Sequence, residues 1–270
     1  MNFTLQKTPA AFFDLDGTLL RGPSLEWRFL RFLYERGQWN PVSLLPWAGR
    51  FLAAVTFGES GGEGERFLRA MYGNKVYLKN IRPAAVEVFR PERTVAEFFP
   101  EGLLRIRWHA AQVHRIFLVT GTLSPLVERI AEALRVRLQQ GAWPSLVGVC
   151  ATRLEEREGR WTGELLGEAV CGRGKVRAME CLAKEYALDL ARSFAYGNNA
   201  HDQWMLARVG NPVAVNPSRA LRRIAAAAGW PVFSWGTKNT PEHRGAEEWK
   251  KMDSAVATRD SLRKGLRRKA

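Results

Sequence analysis

Asp14 and Asp16 emerge two residues apart from the apolar run Ala10-Ala11-Phe12-Phe13, and Gly17-Thr18 follow at once. Carboxylates at this spacing, beside a glycine-loosened turn that can aim backbone N–H groups at an anion, suit a site for phosphate and a hard cation. The pair alone also reads as an acidic turn ending a buried strand, with an Asp as helix cap, since a capping Asp is commonplace. The apolar run belongs in the middle of a parallel sheet, where both faces are covered. In open α/β folds the ends of such strands are where ligands bind.

Three later segments could complete the site. Arg115-Ile116-Phe117-Leu118-Val119-Thr120-Gly121-Thr122 is a second core strand closed by hydroxyl residues, and Ser124-Pro125 then opens a helix in a favoured way. Lys175 lies in Gly172-Arg173-Gly174-Lys175-Val176, near an expected helix N-terminus. Ser193-Phe194-Ala195-Tyr196-Gly197-Asn198 is another strand, with Asp202 four residues beyond Asn198. Asn198 and Asp202 share one side if a helix begins there.

The order and spacing of these four segments resemble the motifs of the haloacid dehalogenase superfamily, over roughly residues 9 to 236. Gly22-Pro23-Ser24 and Pro212-Val213-Ala214-Val215-Asn216-Pro217 are similar to its phosphoserine-phosphatase-like branch. The resemblance implies a Rossmann-like, doubly wound parallel α/β core with an inserted helical cap. It implies a phosphatase that hydrolyses a small phosphomonoester through an aspartyl-phosphate. Asp14 would be the nucleophile and Asp16, free to swing, the general acid and base. Thr120 and Lys175 would hold the phosphoryl group, with Gly17, Thr18 and Gly121 contributing phosphate contacts. Mg²⁺ would lie among Asp14, Asp16, Asn198 and Asp202, and Asp202 would orient a bound water or Lys175.

Asn198 departs from the pattern, which carries an acid there. An amide oxygen can ligate Mg²⁺ but brings no charge. The departure costs metal affinity on the order of 10- to 100-fold by analogy with other ligand-shell changes. A degenerate protein that binds a phosphorylated ligand or anionic partner without efficient turnover is therefore the alternative function. Phosphoserine phosphatases also carry a Glu soon after the first motif, and here Pro23 stands at the matching spacing, nine residues after Asp14, so phosphoserine itself is not the expected substrate.

The elements must bring these residues together. Strands are expected at about Ala11 to Leu15, at Arg115 to Thr122, at Val213 to Val215 and at Val232 to Trp235. Ser24 to Gly37 reads as a helix with Leu25, Phe29 and Leu33 on one face, and Glu101 to Ala111 and Ser218 to Ala228 as two more. Leu146 to Arg153 and Arg160 to Leu166 read as the arms of a β-hairpin about Glu158-Gly159. The domains are then 1–21 and 100–236 for the core, 22–99 for the cap and 237–270 for a basic tail.

Composition fits this organisation. The 270 residues are 46% hydrophobic, enough for a main domain and an insert. Residues 1 to 10 lack the apolar centre of a secretory signal, and no uninterrupted apolar run reaches the roughly 18 residues of a membrane span. Three cysteines without zinc spacing point to a reducing cytoplasm. The net charge of +14 favours anionic substrates. Residues 250 to 270 hold eight Lys or Arg against two Asp, a solvated tail or a weak docking segment for nucleic acid or anionic lipid.

Three sets of side chains leave alternatives open. Glu26 could meet a substrate amine, but the expectation is an acid on the solvent face of a cap helix. His201 could reach the site, although a solvated histidine at a helix start is the expectation; His109, His114 and His243 carry no assigned role. The many large residues of the cap, Trp27, Trp47 and Tyr72 among them, read as packing, or as accommodation for a bulky leaving group or a membrane surface.

Overall fold

The computed structural model describes residues 7–57, 70–139 and 147–236. Six strands form one parallel sheet in the order β3-β2-β1-β6-β7-β8. These are β1 (Ala10–Phe13), β2 (Arg115–Leu123), β3 (Val147–Thr152), β6 (Phe194–Gly197), β7 (Asn211–Val215) and β8 (Val232–Phe233). Strand β1 pairs with β2 on one side and β6 on the other. The chain thus winds outward in two directions from the β1/β6 boundary, the place where doubly wound sheets bind ligands.

The apolar run at residues 10–13 is central because each of its residues is fully buried. Side chains alternate across the sheet. Phe12 stacks on Phe117 at 5.5 Å on one face, and Phe13 stacks on Tyr196 at 4.4 Å on the other. Burying each ring contributes about 2–3 kcal/mol. Helices cover both faces, as a parallel sheet needs. Met179, Leu206 and Leu221 pack with Phe12, while Phe29, Ile106 and Ile130 pack with Phe13.

Between β1 and β2 the chain forms α1 (Leu25–Glu35), α2 (Leu44–Phe57), a short α3 (Ala85–Phe89) and several 3₁₀ turns, then α4 (Pro100–Ala111). Helix α1 starts where Ser24 accepts the Trp27 N–H at 3.3 Å, and it buries Leu25, Phe29, Leu30 and Leu33. After β2 come α5 (Ser124–Gln139), α6 (Arg173–Glu185), α7 (Gln203–Ala207) and α8 (Arg219–Ala228). Ser218 caps α8 and Gly229, at φ +65°, ends it in the left-handed form that glycine adopts readily.

One element differs from the sequence expectation. The first arm of the expected hairpin is β3, the edge strand of the main sheet, paired parallel to β2. The hairpin is instead β4 (Leu154–Arg157) with β5 (Arg160–Leu165). Glu158 and Gly159, at φ +53° and +71°, give it the two left-handed residues of a tight type I′ turn. An alternating apolar strand fits a sheet edge and a hairpin equally well, so its pattern could not choose between them. The hairpin packs on the insert: Asn80 N–H donates to Trp161 O, and Trp161 N–H donates to Ile81 O, both at 2.9 Å.

Strand β1 ends at Phe13 rather than Leu15, and β8 at Phe233 rather than Trp235. The basic tail with His243, and Leu146, lie outside the described residues. Among the described residues no helix is long and apolar enough to cross a membrane.

Candidate active site

Asp14 follows the last residue of β1 and is tied to the neighbouring strand by its N–H, which donates to Tyr196 O at 2.9 Å. Its carboxylate is almost wholly buried and held at both oxygens. Lys175 Nζ lies 2.6 Å from Oδ1, and the Thr18 hydroxyl donates to Oδ2 at 3.0 Å. Lys175, on the first turn of α6, reaches Asp202 Oδ1 at 2.7 Å with the same ammonium. Asp202 Oδ2 accepts the backbone N–H groups of Asn198 and Asn199 at 3.0 and 2.9 Å. One chain of contacts therefore joins β1, α6 and the loop after β6.

Gly197 makes this closure feasible, since a Cβ there would stand 2.5 Å from the Asp202 Cβ. Gly17, at φ +79°, serves a related purpose, because its hydrogen-only face lies against the Asn198 side-chain amide.

Burial pushes the Asp14 carboxyl up to about 7; Lys175 pulls it down, while Asp202 and then Asp16 push it up. For Lys175, burial opposes its charge, but Asp14 and Asp202 outweigh burial and hold the ammonium above its ordinary value. Three carboxylates thus crowd one cation. That surplus of negative charge, with carboxylate and amide oxygens as donors, fits Mg²⁺. Among the described residues no three His, Cys, Asp or Glu side chains converge as a cage. Mg²⁺ does not need one, since it keeps several waters.

Asp16 is held rather than free to swing. Its Oδ1 accepts the Leu25 N–H at 2.7 Å and its Oδ2 accepts the Thr122 hydroxyl at 2.6 Å. The first turn of α1 and the end of β2 therefore fix it from two sides. Burial raises its pKa, the Thr122 and Leu25 hydrogen bonds lower it, and Glu26 raises it.

These side chains face a cavity of about 520 Å³. Asp14, Asp16, Thr120, Gly121, Lys175, Asn198 and Asp202 line it together. Gly17 and Thr18 are not on its wall. The Gly17 N–H donates to Leu20 O at 2.9 Å, and the fully buried Thr18 spends its hydroxyl on Asp14, so the turn consumes what the sequence offered to phosphate. His201 is on the wall and half-buried, edge-on to Tyr72. Burial lowers its pKa.

Two further features differ from the sequence reading. Glu26 is not a solvent-facing acid: it is 9% exposed, lines the cavity and is paired with Lys75 at 2.7 Å. Thr122, in sequence only the end of a strand, grips Asp16. A second hydroxyl two residues after Thr120 was the available signal, because side chains at this spacing share one face of a strand.

Fold and site together define a doubly wound α/β protein with a carboxylate–lysine centre at its strand switch. The profile of haloacid dehalogenase-like hydrolases matches residues 11–207, and the chain belongs to that family. It is 31% identical over 230 residues to a phosphoserine phosphatase of Mycobacterium tuberculosis, covering 83% of this chain and 70% of the relative. A hydrolase of Mycobacterium leprae is 30% identical over 264 residues, 95% of this chain and 83% of the relative. A Bordetella pertussis protein of unknown function superposes with a TM-score of 0.64 at 28% identity, over 84% of this chain and 99% of that one. A phosphoserine phosphatase carrying a phospho-aspartyl intermediate analogue shares the fold at TM-score 0.55 and 17% identity, over 90% and 99%.

Proposed function

We propose that this hydrolase is a Mg²⁺-dependent phosphatase that cleaves a small phosphomonoester through an aspartyl-phosphate on Asp14. The observation that carries this reading is the buried contact chain from Asp14 through Lys175 to Asp202. It fixes a nucleophile beside a permanent positive charge, as attack on an anionic ester requires.

In the first step the Asp14 carboxylate attacks phosphorus and the bond to the leaving alcohol breaks. Asp16, protonated, gives that alcohol its proton. In the second step Asp16 takes a proton from water, whose oxygen attacks phosphorus and releases inorganic phosphate and the free Asp14. Thr18 and Lys175 aim Asp14 in both steps, and Thr122 with the Leu25 N–H aims Asp16. Thr120 donates to the phosphoryl oxygens and Lys175 balances their charge. Asp14, Asp16 and Asn198 would hold Mg²⁺, which when bound supplies further positive charge against the phosphoryl group. Asp202 acts through Lys175 and through the Asn198 loop.

The same reading makes residues 22–99 a cap over a core of 1–21 and 100–236, working in the cytoplasm. Cys150, Cys171 and Cys181 are free thiols, which suits a reducing compartment. A second reading, ligand binding without efficient turnover, is favoured by one observation: an uncharged amide at Asn198.

Hydrolysis of p-nitrophenyl phosphate with and without Mg²⁺, in wild type and Asp14→Asn, tests the proposal. Metal-dependent turnover abolished by the substitution is expected. Equal turnover in the variant contradicts it, and phosphate binding without turnover favours the second reading.

A further inference from the structure

The cavity has two unlike walls. Around Asp14 and Lys175 it is polar, whereas away from them Trp27, Leu30, Leu44, Trp47 and Met71 make it apolar. One ionic feature interrupts the apolar side. Lys75 Nζ lies 2.8 and 2.7 Å from the two oxygens of Glu26, and the Tyr77 hydroxyl also donates to Glu26 Oε1. Lys75 is 4% exposed, and its backbone N–H is anchored to Gly163 O of the hairpin at 2.8 Å.

A buried ion pair seldom stabilises a fold more than a well-packed apolar pair does. This one nevertheless stands in the cavity wall, next in sequence to Leu25, whose N–H holds Asp16. Its charges cancel at contact distance. A ligand ammonium entering here meets no unpaired carboxylate, and a ligand carboxylate meets no unpaired ammonium.

We propose that Glu26, Lys75 and Tyr77 form the leaving-group selector of this site, a charge-neutral polar floor in an apolar pocket. It admits phosphomonoesters of bulky, uncharged, largely apolar alcohols and rejects those carrying an ammonium or a carboxylate. This rests on the phosphatase reading and names its substrate class. Rejection arises because a charged leaving group would lose its hydration and gain no partner. The third N–H of Lys75 donates to the Tyr77 hydroxyl at 3.4 Å, so the three polar groups satisfy one another and offer a ligand no free N–H or O–H.

A kcat/KM panel of 1-naphthyl phosphate, phosphoethanolamine and phosphoglycolate tests the selector. Wild type is expected to favour the naphthyl ester over both charged esters by roughly 100-fold, the scale at which an apolar pocket turns away a more polar analogue. Lys75→Met uncovers the Glu26 carboxylate and should shift the ratio toward phosphoethanolamine by about tenfold or more. Glu26→Gln should shift it toward phosphoglycolate. The double variant Glu26→Gln/Lys75→Met holds neither charge and should keep the wild-type ranking, which decides the matter if either single variant fails to fold.

A wild type that prefers phosphoethanolamine, or a double variant that ranks the charged esters first, overturns the proposal. So do folded single variants with unchanged ratios. If wild type turns over none of the three esters, the phosphatase reading fails, and the selector is then read by calorimetric binding of 1-naphthylmethylphosphonate against 2-aminoethylphosphonate. Stronger binding of the naphthyl compound upholds the selector, and equal or weaker binding sinks it.

Discussion

Thr122 grips Asp16, its hydroxyl donating to Oδ2 across 2.6 Å on the wall of the cavity. That hydrogen bond favours the ionised carboxylate, against the upward push of burial. Removing the hydroxyl in Thr122→Val should raise the Asp16 pKa further and loosen its aim. We expect kcat to fall by roughly 10- to 100-fold, a fraction of what a positioned acid and base contributes. The limb of the pH–rate profile that reports Asp16 should move to higher pH, and Thr122→Ser should restore both. An unmoved profile in Thr122→Val would show that the contact does not tune Asp16.

Asn198 supplies an amide oxygen where the superfamily pattern carries a carboxylate. Asn198→Asp adds charge beside Asp14 without changing side-chain size. The Mg²⁺ concentration for half-maximal rate should drop by about tenfold, in line with other changes to ligand shells. An unchanged metal requirement would remove Asn198 from the metal site.

Gly17 keeps the Asn198 amide within reach of the Asp14 loop. A Cβ at Gly17 would fall 2.1 Å from Asn198 Nδ2, and the φ of +79° already disfavours any side chain. Gly17→Ala should displace both loops and lower kcat by about 100-fold, the typical effect of a small misplacement of reacting groups. Its circular dichroism should stay that of the wild type. Full activity in Gly17→Ala would mean that the loops adapt freely.

His114 belongs to a buried cluster at the opposite end of the sheet, with its Nδ1 2.9 Å from the Nδ1 of His109. Burial, then the charges of Arg105 and Arg192, hold its pKa at about 4. In the unfolded chain the group takes its proton near the ordinary 6.5. The folded value is the lower one, so stability is complete above about 6.5 and declines as pH falls toward 4. Denaturant midpoints should drop between pH 7 and pH 5, and His114→Asn should flatten that slope. An identical slope in the variant would assign the pH dependence to other groups.

Local signals made the centre of the site legible in the sequence. Asp14 and Asp16 lie at the end of a run apolar enough to be central, and Asn198 and Asp202 follow a second such run. The helices were legible for a similar reason, with Leu25, Phe29 and Leu33 on one face and a serine cap on α1 and α8. The rest depends on tertiary pairing. Glu26 and Lys75 are 49 residues apart, and only the packing of the hairpin on the insert brings Lys75 into the cavity wall. The commitment of the Gly17 N–H to Leu20 is likewise a property of the folded turn. The partner of strand β3 is not legible, because its alternation suits a sheet edge and a hairpin equally.

The central claim is that phosphorus passes through a bond to Asp14. The test mixes the protein with p-nitrophenyl phosphate and Mg²⁺, quenches in acid within the first turnovers, and maps the digested peptides by mass spectrometry. One phosphoryl group is expected on the peptide containing Asp14, absent from Asp14→Asn and trapped in larger amount by Asp16→Asn, whose amide cannot activate water. Turnover with an unmodified Asp14 peptide, or phosphorylation retained in Asp14→Asn, would contradict it.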